Sequence, residues 1–196
     1  MSNPYRSILT YLNTKRKLCL ITALVVVEII LFAVLNTDGN SEYFRFADDA
    51  KDTYGSKLAF ILFGNLLAML QMIAFGTLPF GIGTIFSTYS VATGLIGTGK
   101  LVLSQIGTRN MILCILPHGI FELAAIFMSV LLSALWSQTV TCAVWRMMRR
   151  RKVISPFLTD AGIILKTIVF IVVPLITFSA LIESTVSAYI AELVIK

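Results

Sequence analysis

The sequence predicts an all-α fold: a polytopic membrane bundle of about five transmembrane helices, N-terminus inside and C-terminus outside. Three observations predict it. Hydrophobic residues make up 57% of the 196 and charged residues only 13%, about half the charged share of an ordinary soluble domain. Residues 58–99 hold no charged side chain, a helical length about twice the hydrocarbon thickness of a bilayer. Nine of the sixteen basic residues form two blocks beside apolar runs. These are Arg6, Lys15, Arg16 and Lys17, then Arg146, Arg149, Arg150, Arg151 and Lys152, placed as positive-inside bias and anionic headgroups would place them. The chain reads as one membrane domain, 18–196, after an interfacial segment, 1–17.

Residues 4–17 put Tyr5, Ile8, Leu9 and Leu12 at i, i+3, i+4 and i+7. That spacing predicts a short amphipathic helix lying on the membrane surface. The first span covers 18–35. It follows a basic segment as a secretory signal would, but it is too long and lacks a small-x-small site before Asn36, so it reads as a retained anchor. Residues 36–56 are polar and form the only sizeable loop.

The uncharged run 58–99 divides at Gly76-Thr77-Leu78-Pro79-Phe80-Gly81-Ile82-Gly83, whose glycines and proline predict a tight turn between two spans. A polar loop is expected around 100–110. Pro117 then opens the fourth span, proline being well suited to a first helical turn. After the second basic block the fifth span runs over 161–182, kinked by Pro174, with Lys166 snorkelling toward the cytoplasmic end. An inside N-terminus leaves five bases outside (Arg45, Lys51, Lys57, Lys100 and Arg109) against the nine inside.

Small residues mark two helix faces: Gly83, Ser87, Ser90, Gly94 and Gly97 in the third span, and Ala125, Ser129, Ser133 and Ser137 in the fourth. Such stripes let membrane helices approach closely, within the chain or across a homo-oligomer or partner seam. Cys19, Cys114 and Cys142 lack the spacing of a disulfide framework or zinc site. Gly94-Leu95-Ile96-Gly97-Thr98-Gly99-Lys100 fits a phosphate-loop pattern, yet Leu101 stands where Ser or Thr must hold magnesium, and no strand precedes it. The net charge of +6 comes without a recognition module, so the expected partners are lipids and membrane proteins rather than nucleic acid. No cofactor is expected.

The chemistry concentrates at Pro117-His118-Gly119-Ile120-Phe121-Glu122. His118 is the only histidine, and between Met111 and Trp145 Glu122 is the only charged residue. The two lie one helical turn apart on one face. A carboxylate inside a membrane helix is costly and turns toward protein, water or a partner. Three readings fit: a structural His–Glu pair, a polar pocket for a partner or substrate, or a metal site. Metal would need further ligands from Glu28 or Glu183, since zinc takes three or four. Glu28, in the middle of the first span, is expected to pair with Asn65, Gln71 or His118. No Ser/His/Asp or Cys/His arrangement is visible, so catalysis is not expected.

Leu116-Pro117-His118-Gly119-Ile120-Phe121-Glu122-Leu123-Ala124-Ala125-Ile126, with Phe63-Gly64-Asn65 and Gly81-Ile82-Gly83-Thr84 upstream, resembles the stage II sporulation protein M family. The resemblance covers 58–151. One departure is Ala92-Thr93, where many members carry Asn-Gly. The resemblance implies a multi-pass protein of the bacterial cell membrane, a non-enzymatic organiser within an envelope machinery. Sporulation members of the family assemble with peptidoglycan-cutting enzymes during engulfment; similar proteins accompany circular bacteriocins in maturation, export or immunity. The short outer loop favours the bacteriocin branch. A transporter lined by Glu28, Asn65, Gln71, His118 and Glu122, and an intramembrane peptidase or peptide cyclase using His118 and Glu122, remain the alternatives.

Overall fold

The computed structural model describes residues 3–37, 54–187 and 189. Most of the polar loop (38–53) and the end of the chain lie outside the described residues. Six helices carry the fold: α1 (Pro4–Thr14), α2 (Arg16–Asn36), α3 (Tyr54–Phe75), α4 (Ile82–Met148), α5 (Ile154–Thr167) and α6 (Val173–Ile182). A 3-10 turn, Pro79–Gly81, joins α3 to α4, and π-helical turns at Ile168–Val172 and Glu183–Ser187 flank α6. The first of these turns lies directly before Pro174, whose missing N–H leaves a carbonyl one turn back without its helical donor.

Four stretches are long and apolar enough to cross a membrane: Arg16–Asn36, Leu58–Phe75, Ile106–Met148 and Ile154–Val186. The expected third span is helical but is not among them. Its many Gly, Ser and Thr residues lower its hydropathy.

Instead of a polar loop over 100–110, α4 is helical up to a single break at Gly107, with φ 76° and ψ 165°. That conformation is open to glycine and closed to side chains bearing a Cβ. The two arms of α4, 82–106 and 108–148, fold back on each other. Thr84 Oγ1 lies 2.9 Å from Ser133 Oγ, and the Gly81 N–H donates to Ser137 Oγ at 2.9 Å. The helix therefore restarts just after Gly107, and Pro117 lies inside it rather than in its first turn. The glycine supplies the break expected of a polar loop over 100–110, and the helix start expected at Pro117.

The buried core lies between α3, the second arm of α4 and the α5–α6 run, around Met69, Ile73, Leu132, Leu135, Ile164 and Ile176. α2 lies along the first arm of α4, with Lys100 Nζ donating to the carbonyls of Thr37 (2.5 Å) and Val34 (3.4 Å). A cation on the last carbonyls of a helix is favourable by charge and by hydrogen bonding. This end of the bundle also holds Gly107; the opposite end holds Lys15, Arg146 and the turn after α3, and is called here the basic end.

α1 packs part of its apolar stripe on the bundle: Ile8 is 1% exposed, and the Tyr5 ring meets Phe170 edge-on at 6.0 Å. Phe170 lies 16 residues beyond the start of α5, about 24 Å along the helix. α1 thus runs back along α5, with Leu9 left exposed.

Candidate functional site

The second arm of α4 carries His118 and Glu122 one turn apart, both half-buried. The His118 ring reaches back to the Cys114 carbonyl. Its own backbone carbonyl accepts a hydrogen bond from the fully buried Ser179 Oγ of α6, at 3.2 Å. This bond, with Phe121 packed at 6.3 Å from Phe178, fixes α6 on the face that bears the pair. The same register brings Glu183, half-buried at the start of the second π-helical turn, within electrostatic range of Glu122. Widened turns of this kind recur at functional sites. Glu183 had entered the sequence reading only as a conceivable metal ligand. No sequence signal registers the last helix against α4, so its approach to Glu122 was not legible.

The other expected site residues are distributed unevenly. Gly76 packs on Ser133, so Asn65, eleven residues back along α3, lies level with Glu122, eleven residues back along α4. Asn65 is half-buried, and α3 also packs on the Glu183–Ser187 turn. Gln71 and Glu28 are both exposed on the outside of the bundle. The structure therefore brings Glu183 to Glu122 with His118 one turn away, sets Asn65 at their level, and leaves Glu28 and Gln71 outside. Among the described residues, no group of three or more His, Cys, Asp or Glu has the geometry to hold a metal ion.

The model of the Stage II sporulation protein M family matches residues 18–188. The chain belongs to this family. No curated protein and no solved structure matches it.

In this stage II sporulation protein M family member the small-residue faces serve different ends. Ala125, Ser129, Ser133 and Ser137 are all buried, at 2% exposure or less. In the first arm, Gly83, Ser87 and Gly97 are buried, while Ser90 and Gly94 face outward. A Cβ at Gly83 would fall 1.9 Å from the Phe75 carbonyl oxygen, whereas one at Gly94 meets nothing within 4 Å. The intramolecular seam runs through Gly83, Thr84, Ser87, Thr88 and Ala92, so the packing expected at Ser90 and Gly94 is not made within the chain. The phosphate-loop pattern 94–100 lies inside the α4 helix, its lysine holding the end of α2.

A second polar group, missed in the sequence, sits at the basic end. Asp160 is the only carboxylate between Glu122 and Glu183. Thr139 Oγ1 donates to it at 3.4 Å, and the buried Tyr11 hydroxyl lies beside both without a hydrogen bond of ordinary geometry. Burial, then the negative charge of Asp160, push the Tyr11 phenol up to about 12. Lys15 Nζ donates to Gln138 Oε1 at 3.0 Å nearby. This group fastens α1 to the bundle.

Proposed function

We propose that this protein is a non-enzymatic organiser in the bacterial cell membrane. In this reading His118, Glu122 and Glu183 form a polar pocket that takes a donor-bearing segment of a partner membrane protein. The observation that carries the reading is the family match across 18–188, and the family's name links it to sporulation. The role is then a membrane one in the remodelling of the cell envelope. The geometry suits binding. Two carboxyls brought together in a medium of low dielectric favour a guest that offers N–H, O–H or positive charge. Ser179 gives its proton to the His118 backbone carbonyl, so this hydroxyl serves the packing of α6 on α4.

We also infer five crossings, with both basic blocks in the cytoplasm. The first arm of α4 joins the turn beyond α3 at the basic end to Gly107 at the other, so it traverses the same thickness as its neighbours. The brevity of the outer loop in the sequence favours the bacteriocin-associated branch over recruitment of wall enzymes.

Capture of the tagged chain from its native membrane, with the copurifying membrane proteins identified by mass spectrometry, tests the role. Partners that include envelope-remodelling enzymes or bacteriocin export components are expected. A chain recovered without partners, which turns over a peptide on its own, would overturn the proposal.

A further inference from the structure

Two charges lie on the outer surface of the bundle, each within an apolar span. Glu28 is exposed on α2 and Lys166 is exposed on α5, and neither makes a hydrogen bond or ion pair within the described residues. The helices that carry them start level with one another, because Lys15, Val153 and Pro156 line one small cavity of about 70 Å³ at the basic end. Glu28 lies 13 residues beyond Lys15 and Lys166 lies 12 beyond Ile154. At 1.5 Å per residue both charges sit about 18–20 Å from that shared level.

The surroundings match as well. Around Glu28, α2 exposes Leu20, Leu24, Val27 and Leu31, a face spaced four, three and four as in a helix–helix seam. Around Lys166, α5 and the turn after it expose Leu158, Leu165 and Val169 with Gly162 between, spaced in the same way. A Cβ at Gly162 meets nothing within 4 Å, so a second helix has room to come close there. The two faces belong to different flanks of the molecule, with α1 and α4 between them.

We propose that the occupant of the Glu28 face is a second copy of this chain, with Glu28 of one copy paired to Lys166 of the other. Opposite charges at equal depth remove each other's cost in the hydrocarbon. The two leucine-rich faces supply the packing, and Gly162 permits the approach. The inference stands apart from the His118–Glu122 pocket, which lies elsewhere on the bundle.

The test is cysteine crosslinking in membranes of full-length chains whose three native cysteines are replaced by serine. One copy carries Leu31→Cys and a differently tagged copy carries Val169→Cys, each three residues beyond its charge. A disulfide joining the two tags is expected. Glu28→Lys in the first copy should lower its yield about tenfold, and Lys166→Glu in the second copy should restore it. Glu28→Gln provides the same reading if the reversed charge harms folding, judged by size-exclusion profile. A crosslink confined to Leu31→Cys with itself, a yield unaffected by Glu28→Gln, or a monomer in nanodiscs would each overturn the proposal. So would a Glu28-dependent crosslink to a different membrane protein in its place.

Discussion

The two halves of the second arm of α4 treat their polar residues in opposite ways. Toward the basic end, Ser129, Ser133 and Ser137 are at most 2% exposed and each hydroxyl is engaged. Ser129 Oγ donates to the Ala125 carbonyl, Ser133 meets Thr84, and Ser137 donates to the Leu78 carbonyl while accepting from the Gly81 N–H. Toward Gly107, His118 and Glu122 are half-buried, with Leu116, Ile120 and Leu123 exposed around them. The saturated half fixes the fold. The other half leaves the Glu122 carboxyl partly exposed, and the proposed reading gives that carboxyl to a partner.

If that contrast is sound, the largest effect on folding lies in the saturated half. Gly83→Leu drives a side chain into the Phe75 carbonyl. It is expected to cost about 3 kcal/mol or to prevent folding, seen as lost monodisperse yield in detergent. Ser137→Ala removes one acceptor and one donor that hold the turn after α3 against α4. A loss of about 1–2 kcal/mol is expected in a denaturant or thermal melt. A neutral result there would make the hydroxyl stripe incidental.

A smaller effect concerns the docking of α1. The Tyr11 phenol is held at about 12, above its usual 10.0, so the fold favours its neutral form. The stabilisation is complete below pH 10 and is lost as pH rises through about 12. Hydrogen exchange over residues 4–14 should quicken across that window, and Tyr11→Phe should abolish the step. The smallest effect belongs to Gly94→Leu, which enters open space and should change stability by less than about 0.5 kcal/mol. A large loss would return Gly94 to the intramolecular seam.

The helical class, the four apolar spans and the Pro117–Glu122 element were legible because hydropathy, helical spacing and charge placement are local properties. The turn at 76–83 was legible from its glycines and proline. The break at Gly107 was not, since one glycine amid polar residues looks like a loop, and Pro117 offered a more familiar helix start. Glu122 and His118 stood out as ionisable groups in an apolar run. Their relation to Ser179 and Glu183 depends on how the last helix docks, and the placing of Glu28 outside depends on which face of α2 meets α4. Helical spacing names faces but not the neighbours they meet. Gly94 shows the same limit: the small-residue stripe was visible, but the drift of the seam toward Thr84, Thr88 and Ala92 was not.

The central claim is that the half-buried carboxyl of Glu122 recognises a partner and does not hold the fold together. The direct measurement compares wild type, Glu122→Gln and His118→Ala for thermal stability in detergent and for partner recovery from native membranes. Glutamine keeps the volume and much of the hydrogen bonding but removes the charge. The account predicts an unchanged melting curve for Glu122→Gln together with lost partner recovery, and His118→Ala following it. A Glu122→Gln protein that recovers partners like wild type, or one that fails to fold, would contradict it.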